Sequence, residues 1–382
     1  MKKATALQTK LHNRDLVLRT IFSNASISRA EIARATKLTR TTVSDIVNGL
    51  MSEGLVQEVG RGESLGGKSP ILLSIVPDSR YLIGLNLAQN RFIGAIVNLR
   101  GEIKERIEIM INDENGENAL LSVYRILDQL TDNREHDLVG IGVGTPGLVN
   151  SKEGVVINAV NLDWHNLELG RLLREKYRLP VAILNDSQAT AIGEFVYKAK
   201  DEQSENYIVV NVNHGIGSGI LINGKLFQGD GGAAGEIGHV VVKENGELCR
   251  CGKRGCLETV SSTRAVLQQL GSNNLEAVLD DYKNNDKQAQ MVINTAGHYL
   301  GISLANLIGM LNIHNLILTG EMTRFGEQWL ATVKTSMENA TLSHLALETK
   351  LDFGKFGYDA CVLGAAAFLT LDDYFLLFTR ED

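Results

Sequence analysis

The chain has 382 residues, of which 44% are hydrophobic and 22% charged, with 38 glycines, four prolines, four cysteines and a net charge of −7. This length accommodates two or three domains with a sizeable core, and the composition excludes a disordered chain or a coiled coil. No apolar run reaches the ~18 residues of a membrane span, and Met1 to Arg14 lacks the apolar stretch of a signal peptide, so a soluble, cytoplasmic protein without a membrane partner is expected.

Charge divides the chain unevenly. Residues 1–80 carry 12 Lys and Arg against 7 Asp and Glu, whereas the remainder carries 26 against 38. A small basic head on a large acidic body points to a nucleic-acid module joined to something else. The head reads as three helices and a β-ribbon. Leu11 to Phe22 places Leu16, Leu18, Ile21 and Phe22 near helical spacing. Ser28-Arg-Ala-Glu31 is a capping box that opens a short helix to Thr36. Thr39 caps a third helix reaching about Glu53, with Val43, Ile46, Val47 and Leu50 as its buried stripe and Arg40, Thr41, Thr42, Ser44, Asp45 and Asn48 available outside it. Two strands, Leu55–Val59 and Ile71–Val76, are expected to flank a basic, glycine-rich loop containing Lys68. This is a winged helix-turn-helix pattern. Short polar side chains and Arg40 on the third helix suit the major groove of double-stranded DNA, and Lys68 suits a narrow minor groove.

The body begins near Tyr81. Strand-like runs at Tyr81–Leu87, Ile93–Leu99, Leu138–Gly144, Val181–Leu184, Tyr207–Val212, Gly219–Ile222 and Leu316–Thr319 alternate with helical stretches such as Ala119–Leu130 and Leu167–Lys176, which is an α/β arrangement. The openings at Tyr81 and Tyr207 look alike, each a strand, a turn and a second strand, as two related lobes closing on a cleft would require.

Three of the four cysteines, Cys249, Cys251 and Cys256, fall within eight residues of one another, ten residues beyond His239. Four soft or borderline ligands suit a structural, tetrahedral Zn2+, one per chain, with no open position for an activated water. Asn185-Asp186 directly follows an apolar strand, at the sheet mouth where open α/β folds bind ligands. Asp186 can act there as a general base or only accept a hydroxyl, and an Asn-Asp pair is equally an ordinary helix cap. Glycine-rich runs at 215–219 and 229–238 can expose backbone N–H groups, and Glu236, His239 and Glu258 can project toward one hydroxyl-rich ligand.

These residues converge on a family. The sequence resembles the ROK family (repressor, open reading frame, kinase), in its xylose-repressor and N-acetylglucosamine-repressor branch. The resemblance rests on Glu236-Ile-Gly-His239, Cys249-x-Cys251-Gly-x-x-Gly-Cys256-Leu-Glu258, Gly144-Thr-Pro-Gly147, Asn185-Asp186 and Gly66-Gly-Lys68-Ser-Pro70. It implies an actin-like, two-lobed sugar-kinase (ribonuclease-H-like) body behind a winged helix-turn-helix: a head over 1–78, a small lobe over 79–195 completed by a C-terminal helix in 364–382, and a large lobe with the zinc site over 196–363. It further implies that Asn161, Asn185, Asp186, Glu236, His239 and Glu258 contact sugar, with His239 also a zinc ligand. Asp186 stands at the base position of the family kinases.

The departures from the family pattern are specific. Where kinases of the family carry Asp-x-Gly-x-Thr, this chain has Asn86-Leu-Ala88-Gln-Asn90; Asn213-His214-Gly215 replaces Gly-Thr-Gly; and Thr319-Gly320-Glu321 brings a carboxylate toward the expected nucleotide. The expectation is therefore a non-enzymatic, sugar-responsive transcriptional repressor. It would bind a palindromic operator and a monosaccharide or sugar derivative, as a homodimer or tetramer. The alternative is an active ATP-dependent sugar kinase with a DNA-binding appendage.

Overall fold

The computed structural model describes residues 6–63, 69–88, 90–111, 115–132, 136–197, 204–371 and 377. The head comprises α1 (Ala6–Phe22), β1 (Ile27–Ser28), α2 (Arg29–Thr36), α3 (Arg40–Ser52), β2 (Val56–Arg61) and β3 (Ile71–Ile75). The capping box forms in full: the Ser28 side chain accepts from the Glu31 amide, and the Glu31 carboxylate accepts from the Ser28 amide at 2.9 Å. Thr39 caps α3 through the Thr42 amide, and Val43, Val47 and Leu50 are fully buried while Ile46 is half-buried. β2 starts one residue later than the sequence suggests, because the Leu55 amide still closes α3 on the Leu50 carbonyl. The ribbon is a three-stranded sheet, β1-β3-β2, since Ile27 and Ser28 add an edge to β3. Gly66, Gly67 and Lys68 lie outside the described residues.

From Tyr81 the chain runs through β4 (Tyr81–Ala88), β5 (Arg91–Asn98), β6 (Ile103–Met110), α4 (Gly116–Asp132), β7 (Leu138–Thr145), β8 (Leu148–Asn150), β9 (Val155–Ala159), β10 (Trp164–Leu167), α5 (Leu169–Tyr177), β11 (Val181–Asn185) and α6 (Asp186–Val196). The second half contains β12 (Tyr207–Val212), β13 (Ile216–Ile222), β14 (Lys225–Phe227), α7 (Glu258–Ser261), α8 (Thr263–Gln269), α9 (Leu275–Lys283), α10 (Lys287–Leu311), β15 (Asn315–Thr319), α11 (Gly326–Ala340), α12 (Ser343–Glu348), β16 (Lys350–Phe353) and α13 (Asp359–Leu371). The strand orders are β11-β7-β4-β5-β6 and β14-β13-β12-β15-β16. Numbered within its own half, each sheet reads 3-2-1-4-5, with the first two strands antiparallel and the first and fourth parallel. The likeness between the Tyr81 and Tyr207 openings is thus a true repeat. Parallel neighbours need crossover connections, and the helices supply them.

The C-terminal helix differs from expectation. It begins at Asp359, five residues before Gly364, and its described part ends at Leu371; residues 372–376 and 378–382, with Phe375 and Leu376, lie outside the described residues. α13 lies against β4, β7 and α6 at backbone contact. A Cβ added at Gly142 would fall 1.9 Å from the Ala365 carbonyl oxygen, and one at Gly364 would fall 1.8 Å from that of Ala189. Only glycine permits such packing. Head and body share one core: Leu18, Ile21 and Val43 cluster with Leu82, Val97 and Leu99 and with Val362 and Ala366 of α13. Arg100, in the turn after β5, donates to the carbonyls of Phe22 (2.7 Å) and Asn24 (2.9 Å), closing the end of α1 onto the body. Among the described residues no helix is long and apolar enough to cross a membrane.

Candidate functional site

His239, Cys249, Cys251 and Cys256 come together with their ligand atoms all within 4.8 Å of one another. His239 lies in a single 3-10 turn, Ile237–His239, and the cysteines in a loop held by isolated bridges, Val241 to Cys256 and Leu248 to Arg254. Positive φ at Gly252 and Gly255 (86° and 75°) folds that loop back on itself. Cys249 Sγ is 3.6 Å from His239 Nδ1, and Cys251 Sγ is 3.6 Å from Cys256 Sγ. Zinc–sulfur bonds of about 2.3 Å at tetrahedral angles put sulfurs about 3.8 Å apart, so the donor set and its spacing fit zinc. A metal bound there would supply folding energy to this loop.

The cleft lies beside it. Asp186 opens α6 at the end of β11, where its carboxylate accepts from the Ser187 amide at 2.7 Å. Burial raises Asp186 to about 6. Glu236 immediately precedes the His239 turn; its side chain is 44% exposed at the cleft mouth, yet desolvation on its inner side and the Asp186 and Glu258 carboxylates raise it to about 7. His239 Nε2 points back at Glu236 Oε2, 3.8 Å away, so its two ring nitrogens face different groups. Glu258, at the start of α7, is 6% exposed and accepts from the Ile216 amide at 3.2 Å. The site therefore gathers three carboxylates; Asp186 and Glu236 can accept hydroxyls directly, whereas Glu258 is held by Arg250 and Arg264 at Oε1 and by the Ile216 amide at Oε2.

Two of the sequence-predicted sugar contacts are otherwise engaged. Asn185 is the N-cap of α6: Oδ1 accepts from the amides of Ser187 and Gln188, and Nδ2 donates to the Gly147 carbonyl at 3.0 Å. Asn161 accepts from Arg250, which also pairs with Glu258 at 3.3 Å. Arg250, Arg264 and His214, gathered around Glu258, were missed as site residues. Lone cations scattered over fifty residues carry no spacing signal.

Behind Asp186 a cavity of about 150 Å³ is lined by Asn86, Asn211, Asn213, Glu321 and Tyr358 among others. Asn86, 7% exposed, donates to the Tyr358 carbonyl at 3.3 Å, and the Tyr358 hydroxyl donates to Glu321 Oε1 at 3.1 Å. Burial and Glu321 push the Tyr358 phenol up to about 12, so it stays a donor. The Glu321 amide donates to Asn213 Oδ1 at 2.7 Å. Among the described residues, the cation lining the space that Asn86 and Ala88 border is Arg324, which pairs with Glu276 at 2.7 Å.

On the head, Arg40, Thr41, Asp45 and Asn48 of α3 are exposed, and Thr42 and Ser44 are half-buried. The Thr42 and Thr39 hydroxyls bond each other at 2.8 Å, and Asn48 accepts from Arg29 at 3.5 Å. Arg40, Thr41 and Ser44 make no such side-chain bond among the described residues, so α3 presents them outward.

The family model of the ROK family matches residues 82–371, and that of the winged helix-turn-helix DNA-binding domain matches residues 13–57. The xylose repressor of Bacillus subtilis strain 168 is 31% identical over 372 residues, covering 95% of this chain and 96% of its own. The glucokinase of Halalkalibacterium halodurans is 31% identical over 312 residues, covering 75% of this chain and 93% of its own. The crystal structure of a ROK family transcriptional regulator, a homolog of the Escherichia coli MLC protein, superposes with a TM-score of 0.84 at 25% identity, over 97% of this chain and 98% of that one.

Proposed function

The chain belongs to the ROK family and carries a winged helix-turn-helix head, and from that premise we propose that it is a sugar-responsive transcriptional repressor. The observation that carries the reading is a cleft with carboxylates for hydroxyls (Asp186 and Glu236, beside Glu258) but an amide and a methyl, Asn86 and Ala88, where the family kinases hold phosphates. Phosphoryl transfer is almost entirely positioning and charge neutralisation, and neither group offers a charge to a metal or a phosphate. The xylose repressor relative supports a monosaccharide or its derivative as effector. Sugar bound between the lobes reaches the head through α13: Cys361 in its first turn, and Tyr358 just before it, border the cavity, and its end accepts from Arg19 of α1 through the Leu371 carbonyl at 3.4 Å. An effector that binds two arrangements of the lobes unequally shifts operator affinity by that difference.

The head spans 1–78, the small lobe 79–195 with the C-terminal segment from 364 onward, and the large lobe 196–363, the first turn of α13 leading from one lobe into the other. His239, Cys249, Cys251 and Cys256 hold one structural zinc, and Asn161 and Asn185 line the sugar site beside the three carboxylates. The protein works in the cytoplasm as a homodimer or tetramer, since a helix-turn-helix reading two half-sites requires two-fold symmetry. Footprinting is expected to reveal an inverted repeat with half-sites a whole number of helical turns apart. Arg40→Ala should cost ~1–3 kcal/mol at one base pair, whereas Lys68→Ala should weaken binding with less change of preference. Protection without a preferred sequence at moderate salt refutes the operator reading.

The glucokinase relative makes catalysis the reading to exclude. A coupled assay of ATP turnover with hexoses and pentoses should give no sugar phosphate. Turnover above about 1 s⁻¹, the low end of ordinary kcat values, would restore the kinase.

A further inference from the structure

The crossover from β16 to α13 leaves the large lobe at Gly354. The Gly354 amide still donates to the Leu318 carbonyl of β15 at 2.8 Å. The next two amides, of Lys355 and Phe356, instead donate to the Glu194 carboxylate near the end of α6, at 2.9 and 3.1 Å. Glu194 is 2% exposed, and a Cβ at Gly354 would fall 2.5 Å from its Oε1, so the crossover is clamped at this point. Tyr358, two residues on, is held by the small lobe. Asn86 donates to its carbonyl at 3.3 Å, and the Arg91 guanidinium lies 4.8 Å from the centre of its ring. Arg106 of β6 fixes the following residue, Asp359, at 3.1 Å.

The Tyr358 hydroxyl then reaches back to the large lobe, donating to Glu321 Oε1 at 3.1 Å. Glu321 is itself anchored there, in the 3-10 turn Glu321–Phe325 after β15, with its amide on Asn213 Oδ1. Along the rest of the cleft the lobes also touch, through Gln228 and Ser151 at 2.7 Å and through Arg250 and Asn161, so this arrangement is closed. Hinge motion about Gly354 that opens the cleft takes the Tyr358 hydroxyl out of reach of Glu321. The Asp186 and Glu236 carboxylates, one from each lobe, repel each other and favour that opening. We propose that Tyr358 is a positioning residue for the effector site: its bond to Glu321 holds the effector-free lobes closed and sets Asp186 beside Glu236 before a sugar arrives. The proposal rests on the sugar-sensor reading and adds what sets its sensitivity. A binding-competent state that is only partly populated lowers apparent affinity by that fraction, so this bond fixes the effector concentration to which the protein responds.

Pulsed electron spin resonance on the effector-free, full-length, metal-loaded protein tests it, with spin labels on p-acetylphenylalanine introduced at the exposed Val160 and Met291, one on each lobe. Dilution with unlabelled chain restricts the signal to distances within one chain. Tyr358→Phe and Glu321→Ala should each shift the interlobe distance, and the double variant should do no more than either single change. Glu321→Gln, whose amide oxygen still accepts the hydroxyl, should keep the wild-type distance, a rescue that a purely structural role would not produce. In calorimetric titration with D-xylose the two bond-breaking variants should bind roughly 3- to 30-fold more weakly, the span of one hydrogen bond to a charged group, and Glu321→Gln as the wild type does. Unchanged zinc content and melting temperature establish that the variants are folded; the two Glu321 variants decide the matter if Tyr358→Phe is not. Wild-type distances in both bond-breaking variants, or Glu321→Gln behaving as Glu321→Ala does, overturn the proposal. The distances are read without sugar, so they decide it even if D-xylose does not bind the wild-type protein, a result that counts against the sensor reading alone.

Discussion

Cys251→Ser is expected to release the metal, unfold the segment between Glu236 and Glu258, and abolish effector binding with it. Cys251 is exposed, so the serine itself creates no cavity and no clash, and any loss reports on ligation alone. Apart from local backbone bonds within the loop, the segment is anchored by Ile237 and Leu257, buried near its two ends. Its regular structure is one 3-10 turn and two isolated bridges, and Val240, Val241 and Leu248 point into solvent rather than a core. Structural zinc in small peptides supplies ~10–16 kcal/mol of apparent binding energy at neutral pH, far above what those contacts provide. Because Glu236 and His239 precede the loop and Glu258 follows it, three of the cleft groups lose their positions together. Elemental analysis should find one zinc per wild-type chain, and limited proteolysis should cut the variant between residues 240 and 257. Freshly purified protein without zinc that still melts cooperatively would refute the metal site. Cys361→Ser, at a buried thiol on α13 outside the cluster, should keep the metal.

Asp186→Asn should weaken the effector while stabilising the effector-free protein. The amide keeps the shape of the carboxylate but exchanges a pure acceptor for a mixed donor and acceptor. One sugar hydroxyl then lacks a partner, at ~1–3 kcal/mol or roughly 5- to 150-fold in affinity. Stability should move the other way. Burial raises the carboxyl from 3.8 to about 6, so the folded chain holds this proton more tightly than the unfolded chain. The fold therefore loses stability as pH rises from about 4 to 6, and the loss is complete above that window. The gap corresponds to at most about 3 kcal/mol at neutral pH, which the uncharged asparagine does not incur. Wild-type effector affinity should fall as pH drops through about 7, where Glu236 takes up a proton, and through about 6, where Asp186 does, because each protonated carboxyl exchanges an acceptor site for a donor. The variant should lose the Asp186 part of that dependence and keep the part due to Glu236. On DNA it becomes a super-repressor if the sugar is an inducer, and gives constitutive expression if the sugar is a corepressor. Calorimetry between pH 5 and 8, with gel-shift titrations, measures all of this; an unchanged sugar response would mean that the cleft has been wrongly placed.

Features set by neighbours in sequence were legible without coordinates. The Ser28–Glu31 box, the Thr39 cap and the Val43–Leu50 stripe each lie within ten residues, and the backbone bonds that fix them are local. The metal cluster was legible for the same reason, since a tight loop brings clustered thiols together whatever surrounds them. Longer apolar runs located most strands of both central sheets. β6 was passed over although Ile103, Ile107 and Ile109 alternate with charges, because an edge strand half in water lacks a continuous apolar run. The short β8–β10 sheet and the 25-residue α10 were also not foreseen.

Tertiary structure decided whatever joins distant segments. Arg250 meets Asn161 across 89 positions, Asn86 meets Tyr358 across 272, and Arg19 meets Leu371 across 352. No local propensity encodes such pairings; they follow from two sheets of one topology closing on each other with α13 threaded between β4, β7 and α6. The same packing tied the Asn185 amide to the Gly147 carbonyl, 38 positions away, and gave the head a core in common with the body. It also gathered the arginines, each unremarkable in its own segment, around Glu258. A residue's type and spacing say which chemistry it can perform, but its partners are set by packing, and at this cleft the partners determine the charge that a ligand meets.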